Sequence, residues 1–357
     1  MMEILHIHNP GYHIQMYEVN GVIMNKLKLS ALLALSLTLA VPTVFADEQI
    51  TVYSARKEHL IKPLFDAYIQ KSGVKIRYIT DKAAPLLSRI KAEGANTPAD
   101  LLITVDAGNL WQAAEQGILT ATESETLNTN VPAHLRDPAN RWFGLSIRAR
   151  TIVYSTEQVK PSELTTYEDL ADPRWKGRLC LRTSKKVYNQ SLVAMMMDRL
   201  GEEQTEQVVR GWINNLATQP FSNDTKTMQA IAAGQCDVAI VNTYYFGRLQ
   251  KKEPNLKLAL FWPNQNDRGV HVNISGAGVT KHAKNPEGAR KLLEWLSGSE
   301  AQKIFAALNM EYPVLKSANI DPTVAAWGDF KSDRVNVAKA GELQAKAVML
   351  MDRAGYR

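Results

Sequence analysis

Residues 236–248 read Cys-Asp-Val-Ala-Ile-Val-Asn-Thr-Tyr-Tyr-Phe-Gly-Arg. The apolar run at 236–241 predicts a buried strand, and Thr243 can cap a helix that begins directly after it. Tyr244 and Tyr245 would then lie on the first helical turn, one turn before Arg248. Phenols, free backbone N–H groups and an arginine at the carboxyl end of a strand could form a site for a metal and an anion. The alternative is that both tyrosines pack as core or rim aromatics.

Strand and helix patterns alternate along the rest of the chain, which predicts an α/β fold with a mainly parallel sheet in the first half. Two long apolar runs, at 142–154 and 270–280, are interpreted as hinge strands that cross between two lobes. The boundaries that follow are 47–147 with 272–320 for the N-terminal lobe, and 148–271 with 321–357 for the C-terminal lobe. A last helix is predicted over 335–353.

The beginning of the chain has the pattern of a secretory signal peptide. A short basic segment at 24–28 is followed by an apolar run at 29–41 and by small residues at Val44 and Ala46. We therefore expect residues 1–46 to be a leader that is removed, with the signal peptide at 24–46, and the mature protein to reside in the periplasm. A second long apolar run is absent, so we expect no membrane insertion of the mature chain.

Charge and cysteine content narrow the class of protein further. The formal net charge of +6 is spread over the 357 residues without a long basic block, so a nucleic-acid partner has no specific support. Because the chain is expected to be exported, its two cysteines, Cys180 and Cys236, favour one disulfide over a metal site or a catalytic thiol.

The two cysteines and two tyrosines share a spacing. Tyr188 follows Cys180 by eight residues, and Tyr244 follows Cys236 by eight residues. If the predicted strands at Cys180 and at 236–241 are neighbours in the sheet, a single arrangement accounts for two contacts. It allows the Cys180–Cys236 disulfide and brings Tyr188 close to Tyr244. Ligands of parallel α/β sheets collect beyond the carboxyl ends of the strands, which is where both tyrosines would lie.

Three phenols form an unusual set of metal ligands. Free phenols have a pKa near 10, so only a strongly polarising cation deprotonates them at neutral pH. Fe³⁺ prefers anionic oxygen ligands, whereas Ca²⁺ and Mg²⁺ recruit carboxylates and Zn²⁺ recruits His or Cys. Arg148 and Arg248 could then hold carbonate, or a similar oxyanion, by bidentate hydrogen bonds.

These residues resemble the bacterial periplasmic ferric-ion-binding proteins of ABC iron importers, in the subgroup with tyrosine-rich ligands. The resemblance extends over essentially all of the mature chain. It rests on the segments Val52-Tyr53-Ser54-Ala55-Arg56, Pro98-Ala99-Asp100-Leu101-Leu102, Arg148-Ala149-Arg150, Asn242-Thr243-Tyr244-Tyr245 and Asn273-Ile274-Ser275-Gly276-Ala277-Gly278.

The resemblance implies a type II, two-lobed solute-binding fold with a transferrin-like cleft. It implies that Tyr188, Tyr244 and Tyr245 are iron ligands, that Arg148 contacts a synergistic anion such as bicarbonate, and that Arg248 is a nearby supporting arginine. Its implied partners are an inner-membrane ABC permease and the associated ATPase. The protein is expected to be a monomer.

The turn after the first strand departs from the family pattern. Several family members supply a histidine, or a histidine and a tyrosine, from this turn, whereas this chain has Lys57 and Glu58, followed by His59. A lysine ammonium has no free lone pair for Fe³⁺. Either the first lobe contributes no iron ligand or Glu58 acts as one. The non-functional alternative is that Lys57 and Glu58 form a solvated turn.

The function predicted from the sequence is therefore capture of Fe³⁺ in the interlobe cleft, without enzymatic activity. One alternative is a periplasmic binding protein for a small anion or a polyamine. A more distant one is an exported hydrolase, for which the sequence shows neither a nucleophile–base pair nor a pair of catalytic carboxylates.

Overall fold

A computed structural model describes residues Met16–Val19, Val22–Asn25 and 48–357. The first two segments are strands β1 and β2, which pair antiparallel from Met16 with Asn25 to Val19 with Val22. The sequence pattern does not predict this hairpin. Apart from its first two residues, which belong to β2, the predicted signal peptide at 24–46 lies outside the described residues.

Residues 48–357 contain the remaining strands and all the described α-helices. The strands are β3 (Gln49–Ser54), β4 (Lys75–Thr80), β5 (Leu101–Val105), β6 (Phe143–Ser155), β7 (Leu179–Cys180), β8 (Val238–Asn242), β9 (Leu258–Phe261), β10 (Val272–Val279) and β11 (Tyr312–Pro313). The helices are α1 (Glu58–Ser72), α2 (Ala83–Glu93), α3 (Ala107–Glu115), α4 (Glu125–Asn130), α5 (Val187–Leu200), α6 (Glu202–Asn214), α7 (Asp224–Ala232), α8 (Thr243–Lys252), α9 (Pro286–Ser297), α10 (Ser299–Asn309), α11 (Pro322–Ala325), α12 (Lys339–Glu342) and α13 (Gln344–Arg353).

The two long strands β6 and β10 connect the halves of the sheet. The strand order is β4-β3-β5-β10-β6-β8-β7, and β9 and β11 also pair with β6. The first half of β6 pairs with β10, and its second half, from Arg150 onward, pairs with β8. Of the pairs in this sheet, β3 with β4, β3 with β5 and β7 with β8 are parallel. The expectation of a mainly parallel sheet in the first half is confirmed for β3, β4 and β5. The long strand β10, from the second half of the chain, runs antiparallel to both β5 and β6.

Separate hydrophobic cores lie on either side of these long strands. One contains Leu64, Ile103 and Leu292, and another contains Trp175 and Ile240, all of them fully buried or nearly so. This is the two-lobed α/β arrangement expected of the fold. The exact lobe boundaries given above stay a prediction.

The end of the chain differs from the single helix predicted over 335–353. The helical segments are α12 and α13, which meet at Leu343. Gly341 of α12 packs so closely on Trp111 that an added Cβ would lie 2.4 Å from the Trp111 Cβ. Among the residues described, no helix has the length and apolar character needed to span a membrane.

Candidate metal and anion site

A cleft of about 480 Å³ lies where β3, β4, β5 and β8 end. The parallel strands β3, β4 and β5 run toward the cleft from one side, and β8, which has the opposite direction in the sheet, runs toward it from the other. The residues that follow the carboxyl ends of both sets therefore come together there. The lining residues are Ala55, Arg56, Lys57, Leu60, Thr80, Asp81, Lys82, Ala83, Val105, Asn109, Lys186, Val187, Tyr188, Tyr244, Tyr245, Arg248 and Asn309.

All three predicted tyrosine ligands line this cleft. Tyr188 is the second residue of α5, and Tyr244 is the second residue of α8. The rings of Tyr244 and Tyr245 lie 4.4 Å apart between centroids. The structure therefore brings the three phenols together, and their role as iron ligands stays a prediction.

The predicted disulfide between Cys180 and Cys236 is confirmed. The two Cα atoms lie 5.9 Å apart. The strands that precede the tyrosine-bearing helices are neighbours, since β7 pairs with β8 through Cys180 and Ala239. The predicted cap of α8 is wrong: Asn242, not Thr243, precedes the helix, and no side chain caps it. Asn242 instead donates to the Tyr244 hydroxyl at 3.4 Å.

Burial determines the protonation of the two enclosed phenols. Tyr188 and Tyr244 are 8% and 6% exposed. Desolvation raises the pKa of both, most of all that of Tyr244, and Tyr245 adds to both increases. The interaction with Tyr188 raises the pKa of Tyr244 further, whereas the hydrogen bond with Tyr244 lowers that of Tyr188. The Arg148 guanidinium opposes this effect by lowering the pKa of both. At neutral pH the empty cleft therefore contains protonated phenols, and a strongly polarising cation would have to displace their protons.

Arg148 lies beneath the tyrosines, at the crossing strand β6. Its guanidinium lies 5.5 Å from the centroid of the Tyr188 ring, and Nη1 donates to Ser275 Oγ at 3.3 Å. Nη2 lies 3.8 Å from Asp106 Oδ2 and has no hydrogen-bond partner, although the side chain is 2% exposed. A buried guanidinium with an unused N–H group retains capacity for an anion.

Arg248 lines the cleft directly. Its guanidinium lies 5.2 Å from the centroid of the Tyr244 ring and donates to Asn309 Oδ1. Asn309 ends α10, so this hydrogen bond joins elements on opposite sides of the cleft. The anion-binding roles of Arg148 and Arg248 stay predictions.

A buried ion-pair network that the sequence analysis missed supports the tyrosine-bearing helices. The Asp224 carboxylate pairs with Arg150 Nη1 at 3.1 Å and with Arg182 Nη1 at 3.3 Å. It also accepts a hydrogen bond from the backbone N–H of Asn242 at 2.9 Å, directly before α8. The Arg182 guanidinium reaches the Tyr188 ring at 5.4 Å. The alternation of Arg148 and Arg150 on a strand was visible in the sequence, but Asp224, the partner of Arg150 and Arg182, carried no local signal.

Three lysines of the lining, Lys57, Lys82 and Lys186, were also not predicted as functional residues. Glu58 is exposed on the first turn of α1 and accepts a hydrogen bond from the Tyr78 hydroxyl at 2.9 Å. It is not part of the cleft lining, and its role as a ligand stays a prediction.

The donor set of the cleft fits Fe³⁺ better than other biological metals. Within the described part of the chain, no group of three or more His, Cys, Asp or Glu residues is placed to hold a metal ion. Sites for Zn²⁺ and Ca²⁺ are built from such residues. Phenolates suit a hard trivalent cation, and three of them neutralise its charge.

Comparison with known proteins identifies the family. The model of the family described as bacterial extracellular solute-binding protein matches residues 96–332. The chain is 45% identical to iron uptake protein A1 of Synechocystis sp. over 87% of this chain and 88% of that protein.

Solved structures of similar fold include iron-binding relatives of this chain. A Trichodesmium protein named IdiA or FutA, in complex with iron and citrate ligands, superposes with a TM-score of 0.84 and 47% identity over 87% of this chain and all of that one. The ferric binding protein of Campylobacter jejuni superposes with a TM-score of 0.81 and 35% identity over 86% of this chain and all of that one. The chain therefore belongs to the bacterial extracellular solute-binding protein family, and these relatives within it are iron-uptake and ferric-binding proteins.

Proposed function

We propose that this protein is the periplasmic substrate-binding component of an ABC iron importer. It captures Fe³⁺ in the cleft and delivers it to a membrane permease and its ATPase. The observation that carries the proposal is the convergence of Tyr188, Tyr244 and Tyr245 in a single cleft. The iron-uptake and ferric-binding relatives support it.

The three phenolates would bind Fe³⁺ and balance its charge. Because Fe³⁺ takes six ligands, three tyrosines leave positions for an oxyanion, for which carbonate held by Arg148 is one candidate. Closure of the lobes over the ion would present a surface that the permease recognises. In this role the protein acts without catalysis, as a monomer exported by a cleaved signal peptide at 24–46.

A small anion or a polyamine as the sole cargo is not favoured. A polyamine is a cation and would be repelled by the lysines and arginines that line the cleft. A small anion alone would leave the clustered phenols without a role.

Absorption spectroscopy tests the proposal directly. Iron-free protein titrated with a ferric salt should turn red to purple as iron–phenolate bonds form, with saturation at one equivalent. Protein that stays colourless at saturating Fe³⁺, with any accompanying anion, would contradict it.

A further inference from the structure

Polar contacts connect the two lobes near the beginnings of helices α3 and α5. Leu110 of α3 belongs to the hydrophobic core that contains Ile103, whereas Leu192 of α5 belongs to the core that contains Trp175. A hydrogen bond between these two helices is therefore a hydrogen bond between the lobes. Because α5 carries Tyr188 in its first turn, contacts that hold this turn also hold a predicted iron ligand.

The first bridge is direct and is formed by the carboxyl group of Asp106, a fully buried residue between β5 and α3. Ser191 Oγ, three residues after Tyr188 on α5, donates to Asp106 Oδ1 at 2.7 Å. Asn273 Nδ2, on the long strand β10, donates to Asp106 Oδ2 at 2.9 Å. Arg148 Nη2, on the long strand β6, lies 3.8 Å from the same oxygen. This carboxyl group therefore connects α5 with the strands that run between the lobes.

Capping of α3 does not account for the arrangement of Asp106. The residue is the N-cap of α3 and accepts a hydrogen bond from the backbone N–H of Gly108 at 3.0 Å. N-cap residues typically have an extended backbone, whereas Asp106 has a φ of 82°, which residues with a Cβ rarely adopt. Such a conformation persists where the surrounding contacts over-determine it. The hydrogen bonds from α5 and β10 are contacts of this kind.

The second bridge is a chain of three glutamines. Gln112 Nε2 of α3 donates to Gln344 Oε1 at 2.6 Å, and Gln344 Nε2 donates to Gln190 Oε1 of α5 at 2.9 Å. Gln344 begins α13, in a segment that contributes to both cores, since Val337 belongs to the first and Ala347 to the second. The middle glutamine therefore lies where the end of the chain passes from one lobe to the other.

The two bridges lie side by side. A Cβ added to Gly108 would lie 3.2 Å from Asp106 Oδ1 and 3.3 Å from Gln344 Oε1, so both acceptors approach the same glycine. On the other lobe, their partners Gln190 and Ser191 are consecutive residues of α5. The bridges are therefore parts of one interface, and a movement that separates α3 from α5 acts on both.

We propose that these bridges form an interlobe latch, in which Asp106 pairs with Ser191, and Gln344 links Gln112 to Gln190. The inference rests on the proposed function, because it concerns the opening of the same cleft. A hydrogen bond is lost once its heavy atoms separate beyond about 3.5 Å, so a relative shift of about 1 Å releases the latch. The bridges use none of the three phenols, so they favour the closed form with and without iron. The latch must break before the cleft opens, and it therefore slows iron release.

Two measurements on one variant test the latch. A Ser191→Ala, Gln344→Ala double variant removes both bridges. In iron-loaded protein at saturating chelator, the visible iron–phenolate band should decay at least about tenfold faster than in the wild type, because two interlobe hydrogen bonds are lost. In iron-free protein, small-angle X-ray scattering should give a larger radius of gyration than in the wild type, because the open form gains population.

The glutamine chain allows a test by non-additivity. Since loss of either end breaks the whole chain, Gln112→Ala and Gln190→Ala should each accelerate iron release, and the two together should be no faster than either alone. Addition of Ser191→Ala should accelerate release further, because it removes the other bridge. A Gln112→Ala, Gln190→Ala double variant that is faster than both single variants overturns the chain, since the residues then act independently.

Ser297→Ala is the matched control. Ser297 is a fully buried serine of α9, and its Oγ donates to the Glu294 carbonyl oxygen of the same helix at 2.7 Å. The variant loses a hydrogen bond as short as that of Ser191, but within one lobe. It should leave the rate of iron release and the radius of gyration as they are in the wild type. Thermal unfolding establishes that each variant is folded.

Both readouts must change for the latch to stand. An unaltered rate of release or an unaltered radius of gyration in the folded double variant overturns it, and so does an equal effect of Ser297→Ala. The proposed function is tested separately, because wild-type protein that never develops the iron colour contradicts that function. In that case, scattering from the iron-free variants still decides whether the latch exists.

Discussion

Tyr188 and Tyr244 occupy the same position, the second residue, of two helices that follow a pair of neighbouring parallel strands. The Cys180–Cys236 disulfide joins the last residue of β7 to a residue just before β8. One covalent bond and one strand pair therefore set the separation of two buried phenols. The third phenol, Tyr245, is adjacent in sequence to Tyr244 and packs against it.

Removal of the cleft phenols should abolish iron binding. Tyr188→Phe, Tyr244→Phe and Tyr245→Phe each delete a hydroxyl while keeping the ring, so the fold should remain. We expect each to weaken Fe³⁺ binding by more than about a hundredfold, since loss of even an indirect partner of a metal ligand costs 10–100-fold. The measurements are the visible band and competition against a chelator.

Tyr154→Phe is the matched control for these variants. Tyr154 is a buried phenol of β6 that does not line the cleft. It should bind iron as the wild type does. Wild-type colour in a Tyr244→Phe, Tyr245→Phe double variant would show that the ligands lie elsewhere.

Iron binding should release protons. Because burial raises the pKa of Tyr188 and Tyr244, both are protonated in the empty cleft at neutral pH, and Fe³⁺ must displace those protons. Affinity should therefore rise with pH and fall on acidification. Calorimetry in buffers of different ionisation enthalpy measures the number released, and Tyr188→Phe should release about one fewer. Binding without proton release would exclude phenolate ligands.

The disulfide should stabilise the folded protein. Its cysteines are 56 residues apart, and closing a loop of that length contributes about 4 kcal/mol in the chain-entropy model. A Cys180→Ser, Cys236→Ser variant should lower the free energy of unfolding by up to that amount in urea titration. Reductant should lower the stability of the wild type but not of the variant. Two titratable thiols in unreduced, denatured wild-type protein would contradict the bond.

Arg148 should link iron affinity to the bound anion. Its Nη2 group has no hydrogen-bond partner, and its guanidinium lies 5.5 Å from the centroid of the Tyr188 ring, so it has a donor for an oxyanion close to one of the phenols. In the wild type, iron affinity should fall when bicarbonate and carboxylates are omitted, and Arg148→Ala should remove that dependence. Chelator competition with and without each anion measures it. Wild-type affinity indifferent to every anion would leave Arg148 a structural role beside Asp106 and Ser275.

Much of this protein follows from local sequence patterns. The apolar run at 236–241 and the helix after it, the two long strands and the common spacing of Cys180–Tyr188 and Cys236–Tyr244 were enough to predict the lobed α/β fold, the disulfide and the tyrosine cluster. Each of these depends on periodicity or on short-range spacing. An apolar pattern predicts which face of a helix or strand is buried, and the residues that follow the carboxyl ends of parallel strands are expected to lie at the binding site.

The remaining features depend on contacts between distant parts of the chain. Asp224 pairs with Arg150 and Arg182 only because α7 packs beside β6 and β8. In the sequence, the three lysines of the cleft lining look like ordinary charged turn residues: Lys57, Lys82 and Lys186. The periodicity of apolar residues contains no information about which turns are close in space. Only the tertiary structure brings their helix ends to one cleft, where their positive charges and the helix dipoles add.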